Sequence, residues 1–254
     1  MTTKDYSLLL PTRDRPGLVK QLFESIVETT SEPDRLEIVL YTDEEDLQGR
    51  EIGHPLLSIT RLTGKNETMG SVTRRCYDRS QGKYVMLIND DMIFRTKNWD
   101  KIALEHLLKF PDGVALVYGN DLYYGKRMPT FPIFPRKTFE LMDKICSMQY
   151  KKHCIDPHVL DVFNCLEKLG HHRRVYMPRV IFEHMHYEIG TLMRDPGDFP
   201  ASDAEDQEIY FSLAGHRQMI AMKMAEHIEK IGMTPPSHSP YQVESGKAVA
   251  GLTK

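Results

Sequence analysis

Residues 84–92 read Tyr-Val-Met-Leu-Ile-Asn-Asp-Asp-Met, an apolar run that stops abruptly at adjacent carboxylates. Such a run predicts a strand buried on both faces of an α/β sheet. Acids placed just past the C-terminal end of that strand stand where open α/β sheets bind ligands. Asp90 and Asp91 repel each other unless positive charge lies beside them. A divalent cation carrying a phosphate would meet that need, because Mg²⁺ and Mn²⁺ take oxygen donors and usually keep substrate phosphates in their shell. The plain alternative is a surface turn, where Asn and Asp are common. A second chemical stretch is Phe182-Glu183-His184-Met185-His186. On a strand, His184 and His186 share a side and could reach one site. Asp156 opens a predicted helix after a loop-rich stretch, and Asp before Pro is equally a good helix N-cap.

The chain has 254 residues, 41% hydrophobic and 27% charged, which suits one large α/β domain or two small ones. A net charge of −3 provides no global basic field for nucleic acid. General nucleic-acid binding is therefore not expected. Cys76, Cys146, Cys154 and Cys165 form no C-x-x-C pair and match no zinc spacing, so reduced, mostly buried thiols are expected. The N-terminus carries no apolar signal-peptide core, and no apolar run approaches a membrane span. A cytoplasmic protein is expected.

The elements that must position these residues alternate along the chain. Strands are predicted at 7–10, 37–41, 58–62, 84–88 and 114–118, with short strands at 175–177 and 180–182 on either side of Pro178. Helical spacing runs through Leu18–Val27, Met69–Tyr77, Trp99–Leu107, Phe139–Cys146 and Val159–Leu169. It resumes over Asp203–Glu229, with a break expected near Gly215. Residues 128–135 read as loop. The fold class is thus α/β: a single domain over 1–232, with a mainly parallel central sheet flanked by helices on both faces. Residues 233–254 are rich in Pro, Ser and Gly and read as a flexible tail. No G-x-G-x-x-G and no Walker phosphate loop is present, which disfavours dinucleotide oxidoreductases and P-loop NTPases.

Four pieces of the chain resemble GT-A-fold nucleotide-sugar glycosyltransferases. Leu-Leu-Leu-Pro-Thr-Arg-Asp-Arg-Pro at 8–16 is similar to their Pro-Thr-x-x-Arg-Pro opening. Gly82-Lys83-Tyr84 through Asp91 is similar to the strand leading into their Asp-x-Asp motif. Residues 89–100 are similar to an Asp-Asp-x-x-x-x-Arg-Thr-x-x-Trp-Asp signature of bacterial and phage members, with Asn89 at its first position, and 183–186 are similar to a Glu-His-x-His element. The likeness covers roughly residues 6 to 210. Three departures stand out. Asn89 replaces the first acid of Asp-x-Asp, only Asp43 remains of the acidic turn after the second strand, and Thr73-Arg74 replaces an Arg-Asn pair.

The resemblance implies a metal-dependent glycosyltransferase that moves a sugar from a UDP- or GDP-linked donor to a hydroxyl acceptor. It implies Asp91 as a direct ligand of Mn²⁺ (or Mg²⁺), with His184 or His186 completing the shell and His184 preferred. Mn²⁺ tolerates such a mixed O/N site better than Mg²⁺. Pro11, Thr12 and Arg13 would wall the nucleotide, and Asp43 would accept from its base. Lys65 and Arg74 would face the diphosphate, while Asn89 and Asp90 would reach the ribose or a metal-bound water. Asp156 would be the base of an inverting reaction, and Asp121 a donor-sugar contact. Asp195, Asp203 and Asp206 would line a lid. The acceptor would be a glycan or another hydroxyl compound, a modified base included. Two alternatives keep the same sheet: a sugar-1-phosphate nucleotidyltransferase and a non-catalytic nucleotide-sugar or glycan-binding module.

Overall fold

The computed structural model describes residues 4–143, 148–185, 190 and 200–232. His186, Cys146, Asp195 and the 233–254 tail lie outside the described residues.

Four strands form the first half of the sheet: β1 (Tyr6–Thr12), β2 (Leu36–Asp43), β3 (Ile59–Gly64) and β4 (Tyr84–Leu87). Helix α1 (Pro16–Thr29) joins β1 to β2, the short α2 (Leu47–Glu51) precedes β3, and α3 (Met69–Arg79) returns the chain to β4. These strands pair in parallel, in the order β3-β2-β1-β4. The chain leaves β1 toward β2 on one side and reaches β4 on the other, so the β1–β4 boundary is a topological switch point.

The second half is mixed. It contains β5 (Met92–Phe94), α4 (Trp99–Leu107), β6 (Leu116–Asn120), β7 (Ile133–Pro135), α5 (Arg136–Leu141), α6 (Ile155–Lys168) and β8 (Arg174–His184). Two further helices close the described chain, α7 (Pro200–Ser212) and α8 (Ala214–Ile231). The eight-stranded order continues β4-β7-β6-β8-β5. β7 lies in the stretch expected to be loop. Its flanking prolines hide a strand that forms by antiparallel pairing of Val85 with Phe134 and Met86 with Ile133. The two short strands expected around Pro178 are one strand, β8. The register against β6 jumps between the Gly119–Met177 and Asn120–Ile181 pairs, which accommodates a residue with no N–H to donate. The last helical break falls at Leu213 rather than Gly215.

Alternation along β1 explains the two layers. Leu8 and Leu10 face α1 and α4 in a core with Phe23, Ile26, Phe94, Trp99 and Phe182. Leu9 faces the other layer, where Val85 and Phe134 meet helical residues such as Val72, Phe139, Val162 and Met224. Burying each such leucine contributes about 1.5–3 kcal/mol. Gly82 permits a close approach of β4 to β1, because a Cβ there would lie 2.6 Å from the Ser7 backbone nitrogen. Cys76, Cys154 and Cys165 are free thiols, Cys76 fully buried. No helix among the described residues is long and apolar enough to cross a membrane.

One core group responds to pH. His158 of α6 is fully buried, and its Nδ1 lies 3.0 Å from the Tyr150 hydroxyl. Burial, with Arg217 and His216 nearby, pulls its pKa down to about 3. Between pH ~6.5 and that value the unfolded chain binds a proton that the folded chain rejects, so stability falls as pH drops through the window. Urea melts should show about 2 kcal/mol of stability lost from this residue between pH 7 and pH 5, and a flatter dependence in His158→Gln.

Candidate active site

Three chain segments meet at the carboxyl ends of β1 and β4. Asp90 is 6% exposed. Its Oδ2 accepts from the Thr12 hydroxyl at 2.6 Å, and its Oδ1 accepts from Arg15 Nη1 at 3.0 Å. The same Arg15 nitrogen stands 3.8 Å from Asp91 Oδ2. Burial pushes the Asp90 carboxyl above its usual range, and Asp91 adds to that, while Arg15 and the Thr12 hydrogen bond oppose it. The positive charge that two adjacent acids demand is therefore supplied in part by Arg15. That residue is absent from the expected site. A legible signal existed, since Arg15 is the Arg of the Pro-Thr-x-x-Arg-Pro stretch. The turn that carries it is held from outside by Asp46, whose carboxylate accepts from the Asp14 backbone N–H at 3.0 Å.

His184 reaches this point through sheet register. β5 runs antiparallel to β8, with Met92 opposite His184 and Phe94 opposite Phe182. Met185 donates to the Asp91 carbonyl at 2.8 Å, and His184 donates its backbone N–H to the Asp121 carbonyl at 3.0 Å. The His184 Nε2 then lies 3.6 Å from Asp91 Oδ1, too long for a hydrogen bond. Burial lowers the imidazole pKa, but Asp91, Asp121 and Asp156 more than compensate, so the net shift is upward.

Asp91 Oδ1 is buried and accepts no hydrogen bond from a described residue. The 3.6 Å between it and His184 Nε2 lies between the about 3.0 Å of cis ligands and the about 4.2 Å of trans ligands at bonds of ~2.1 Å, so the two could share an ion only after a small shift of a side chain. Among the described residues no three His, Cys, Asp or Glu side chains hold an ion alone. Asp91 and His184 supply two donors, so a cation here would need its other ligands from water or a bound ligand.

Asp156 faces the same cluster from α6. It lies in the first turn of the helix, but the N-cap position belongs to Cys154, so the capping role is not the one it plays. Burial pushes its carboxyl up to about 7; His184 draws it down and Asp121 pushes it up. The residue as a whole is half-buried, and its carboxyl is the desolvated part.

Arg13 and Asp43 form the far wall, with Arg13 Nη1 3.5 Å from Asp43 Oδ2. Burial raises the Asp43 carboxyl and Arg13 opposes the shift. The β2–β3 register sets Asp43 opposite Gly64, which places Lys65 just beyond that pair. What holds Lys65 is its backbone carbonyl, 2.8 Å from the Tyr41 hydroxyl. Pro11 pairs with Tyr41 inside the sheet, and Asn89 is exposed at the lip. Arg74 sits mid-helix in α3, half-buried. His186 lies outside the described residues.

Several residues with catalytic looks are scaffolding. Arg95 bonds Glu183 at 2.5 Å, and Thr96 takes the Ile181 N–H at 2.8 Å, so both lock β5 onto β8. Trp99 donates to Thr30 from the core, and Asp100 holds Ser31 through its N–H and hydroxyl. Asp121 accepts backbone N–H groups from Tyr123, Tyr124 and Gly125 and the Thr130 hydroxyl, which fixes the turn between β6 and β7. Asp206, fully buried in α7, accepts the backbone N–H groups of Lys151, Lys152 and His153 at 2.8, 2.9 and 2.6 Å. It anchors the approach to Asp156. A cavity of about 320 Å³, lined by Tyr6, Arg35, Asp100 and Lys101, opens at the opposite, amino end of the sheet. Its charges pair among themselves, with Arg35 on Asp5 at 2.5 Å and Lys101 on Glu32 at 3.5 Å.

This architecture is shared with solved proteins. S. aureus TarS superposes with a TM-score of 0.57 at 13% identity, over 88% of this chain and 43% of that one. The chain therefore spans less than half of that TarS chain. A TarS 1–349 structure in complex with UDP gives 0.58 at 13% identity, over 89% and 72%. The mannosyltransferase PcManGT from Pyrobaculum calidifontis, in complex with GDP-Man and Mn²⁺, gives 0.55 at 16% identity, over 92% and 78%. The fold is thus of the GT-A glycosyltransferase type. No family model matches the sequence, and neither does any curated protein.

Removing the Asp206 carboxylate should loosen the loop in front of Asp156. Asp206→Ala strands three N–H groups and should cost about 2–4 kcal/mol, while Asp206→Asn, which keeps one acceptor, should cost less. Chemical denaturation of the two variants checks this order.

Proposed function

We propose that the chain is a metal-dependent, inverting glycosyltransferase acting on a UDP- or GDP-linked sugar and a hydroxyl acceptor. The observation that carries this reading is the convergence of Asp91, His184 and Asp156 at the switch point of a GT-A-type sheet. Asp91 and His184 would hold Mn²⁺ or Mg²⁺, which when bound neutralises the negative charge of a departing diphosphate. The wall of Pro11, Thr12, Arg13 and Asp43 would seat the nucleoside. Asp43 supplies an acceptor for a base N–H there, and Asn89 at the lip is free to meet the ribose.

Asp156 would accept the acceptor hydroxyl's proton as that oxygen attacks the anomeric carbon. The bond to the diphosphate oxygen breaks on the opposite face, which inverts the centre. A desolvated carboxylate is a stronger base than one in water, and matching its pKa to neutral pH is what general-base catalysis requires. Arg15 would hold Asp90 and Asp91 in orientation before the donor arrives. The neighbours' ligands agree with a donor of this class: GDP-Man with Mn²⁺ in PcManGT, UDP in TarS.

Asp91→Ala should abolish Mn²⁺-dependent thermal stabilisation by UDP or GDP. Asp156→Asn should retain that stabilisation but lower turnover by about 10²–10⁴-fold. A stronger shift with UTP or GTP than with the diphosphates would move the assignment to nucleotidyl transfer. Undiminished turnover in Asp156→Asn would remove that residue from the chemistry.

A further inference from the structure

We propose that residues 148–153 are a strap that sets the position of Asp156, and that Asp206 of α7 is the positioning residue that holds it. The strap's bearing on catalysis rests on the glycosyl-transfer reading above.

The strap contains neither helix nor strand, so its path is fixed by its neighbours. On one side stands the start of α3, whose first N–H groups have no partner inside the helix. Met69 and Gly70 donate theirs to the carbonyls of Lys151 and Tyr150, both at 3.0 Å, and the Thr68 hydroxyl donates to the Met148 carbonyl. On the other side the fully buried Asp206 carboxylate accepts the N–H groups of Lys151, Lys152 and His153. The backbone of Lys151 is thus gripped from both sides. Between them Tyr150, also fully buried, sets its hydroxyl 3.0 Å from His158 Nδ1, in the first turn of α6.

The helix that carries Asp206 is fastened to the helix that carries Asp156. Arg217 Nε donates to Asp161 of α6 at 2.6 Å, and its Nη1 donates to the Tyr210 carbonyl of α7 at 2.6 Å. Strap and α6 meet at Cys154, the N-cap residue, whose φ of 66° is left-handed. A residue with a side chain holds that conformation where its surroundings impose it. His153, just before it, is among the residues that Asp206 holds. Freeing His153 lets Cys154 relax toward an ordinary φ, which swings the first turn of α6 and Asp156 with it.

A carboxylate taken out of water recovers little net stability from its bonds. Three N–H groups converging on one carboxylate do fix the direction of a loop as well as its place. A general base needs that, since a displacement of ~1 Å costs about 10²-fold in rate. The α3 end of the strap adds a reference point, because Lys65 of the donor wall lies just ahead of Thr68 on the loop between β3 and α3. The base is thereby set relative to the wall that would seat the nucleotide.

Amide hydrogen exchange and donor turnover on the full chain test this in Asp206→Asn, Asp206→Ala and Thr68→Val. The decisive amide is that of His158, whose N–H donates to the Cys154 carbonyl at 3.0 Å. In Asp206→Ala its exchange should quicken at least about tenfold more than that of the β1 amides, and by less in the other two variants. Turnover is read as hydrolysis of UDP-N-acetylglucosamine or GDP-mannose with Mn²⁺. Its kcat should fall about 10–10²-fold in Asp206→Ala, with KM and the Mn²⁺-dependent nucleotide thermal shift unchanged. In an Asp156→Asn background the same substitution should alter kcat by no more than about twofold. No excess exchange at His158, an undiminished kcat, a loss carried by KM, or an additive loss beside Asp156→Asn overturns the proposal. Exchange that quickens as expected, in a chain showing neither turnover nor a nucleotide shift, upholds the strap and sinks the transfer reading instead.

Discussion

A carboxylate shut away from water persists only where charge and hydrogen bonds compensate its desolvation. Asp90 is that carboxylate here, and its compensation draws the active end of the fold together. Thr12 comes from the end of β1, Arg15 from the start of α1, and Asp90 from the turn after β4. Satisfying one buried acid thus joins the switch point of the sheet to the helix beside it. Asp91 is carried along as the next residue, and its buried, unsatisfied oxygen is what remains for a ligand.

The polar groups of the molecule divide by whether their bonding capacity is already used. Asp100, Asp121 and Asp206 are buried acids that accept from backbone N–H groups or hydroxyls on both oxygens, and each fixes a loop. Arg173 and Asp112 pair inside the core at 2.9 Å, at the start of β8 and well away from the cleft. Asp91 and Asp156 are different. Each is partly desolvated, close to an imidazole, and left with lone pairs that no backbone donor claims. Such groups are what a cation and an incoming hydroxyl require. By the same criterion the long Asp-Asp-x-x-x-x-Arg-Thr-x-x-Trp-Asp stretch separates into two chemical residues at its head and a structural clasp behind them. The clasp matters to the chemistry because it sets the β5–β8 register, and a one-residue slip would turn His184 to the other face of the sheet.

Much of this was open to inspection in the chain itself. Long apolar runs and helical periodicity are local signals, so β1, β2, β4, α1, α3, α4 and α6 were all visible, along with the acids that end β4. The near-neutral net charge gave no reason to expect general nucleic-acid binding, and the absence of a glycine-rich phosphate loop narrowed the ligand chemistry expected. The positions of Asp43, Asp91, Asp156 and His184 near element ends were legible because the order of elements in an α/β sheet places those ends.

Other features depended on partners far away in sequence. β7 has no strand signature between its prolines and exists because β4 and β6 leave a gap for it. Arg15 became the counter-charge for Asp90 across 75 residues, and Asp206 became a loop anchor across about 54. Whether an acid is saturated or available is settled by such contacts and by burial, which follow only from folding. Residue type and spacing therefore determined the sheet, its order of elements and the chemical candidates. The three-dimensional packing decided which of those candidates still had bonding capacity to offer a substrate, because hydrogen-bond satisfaction is a property of neighbours in space and not of neighbours in sequence.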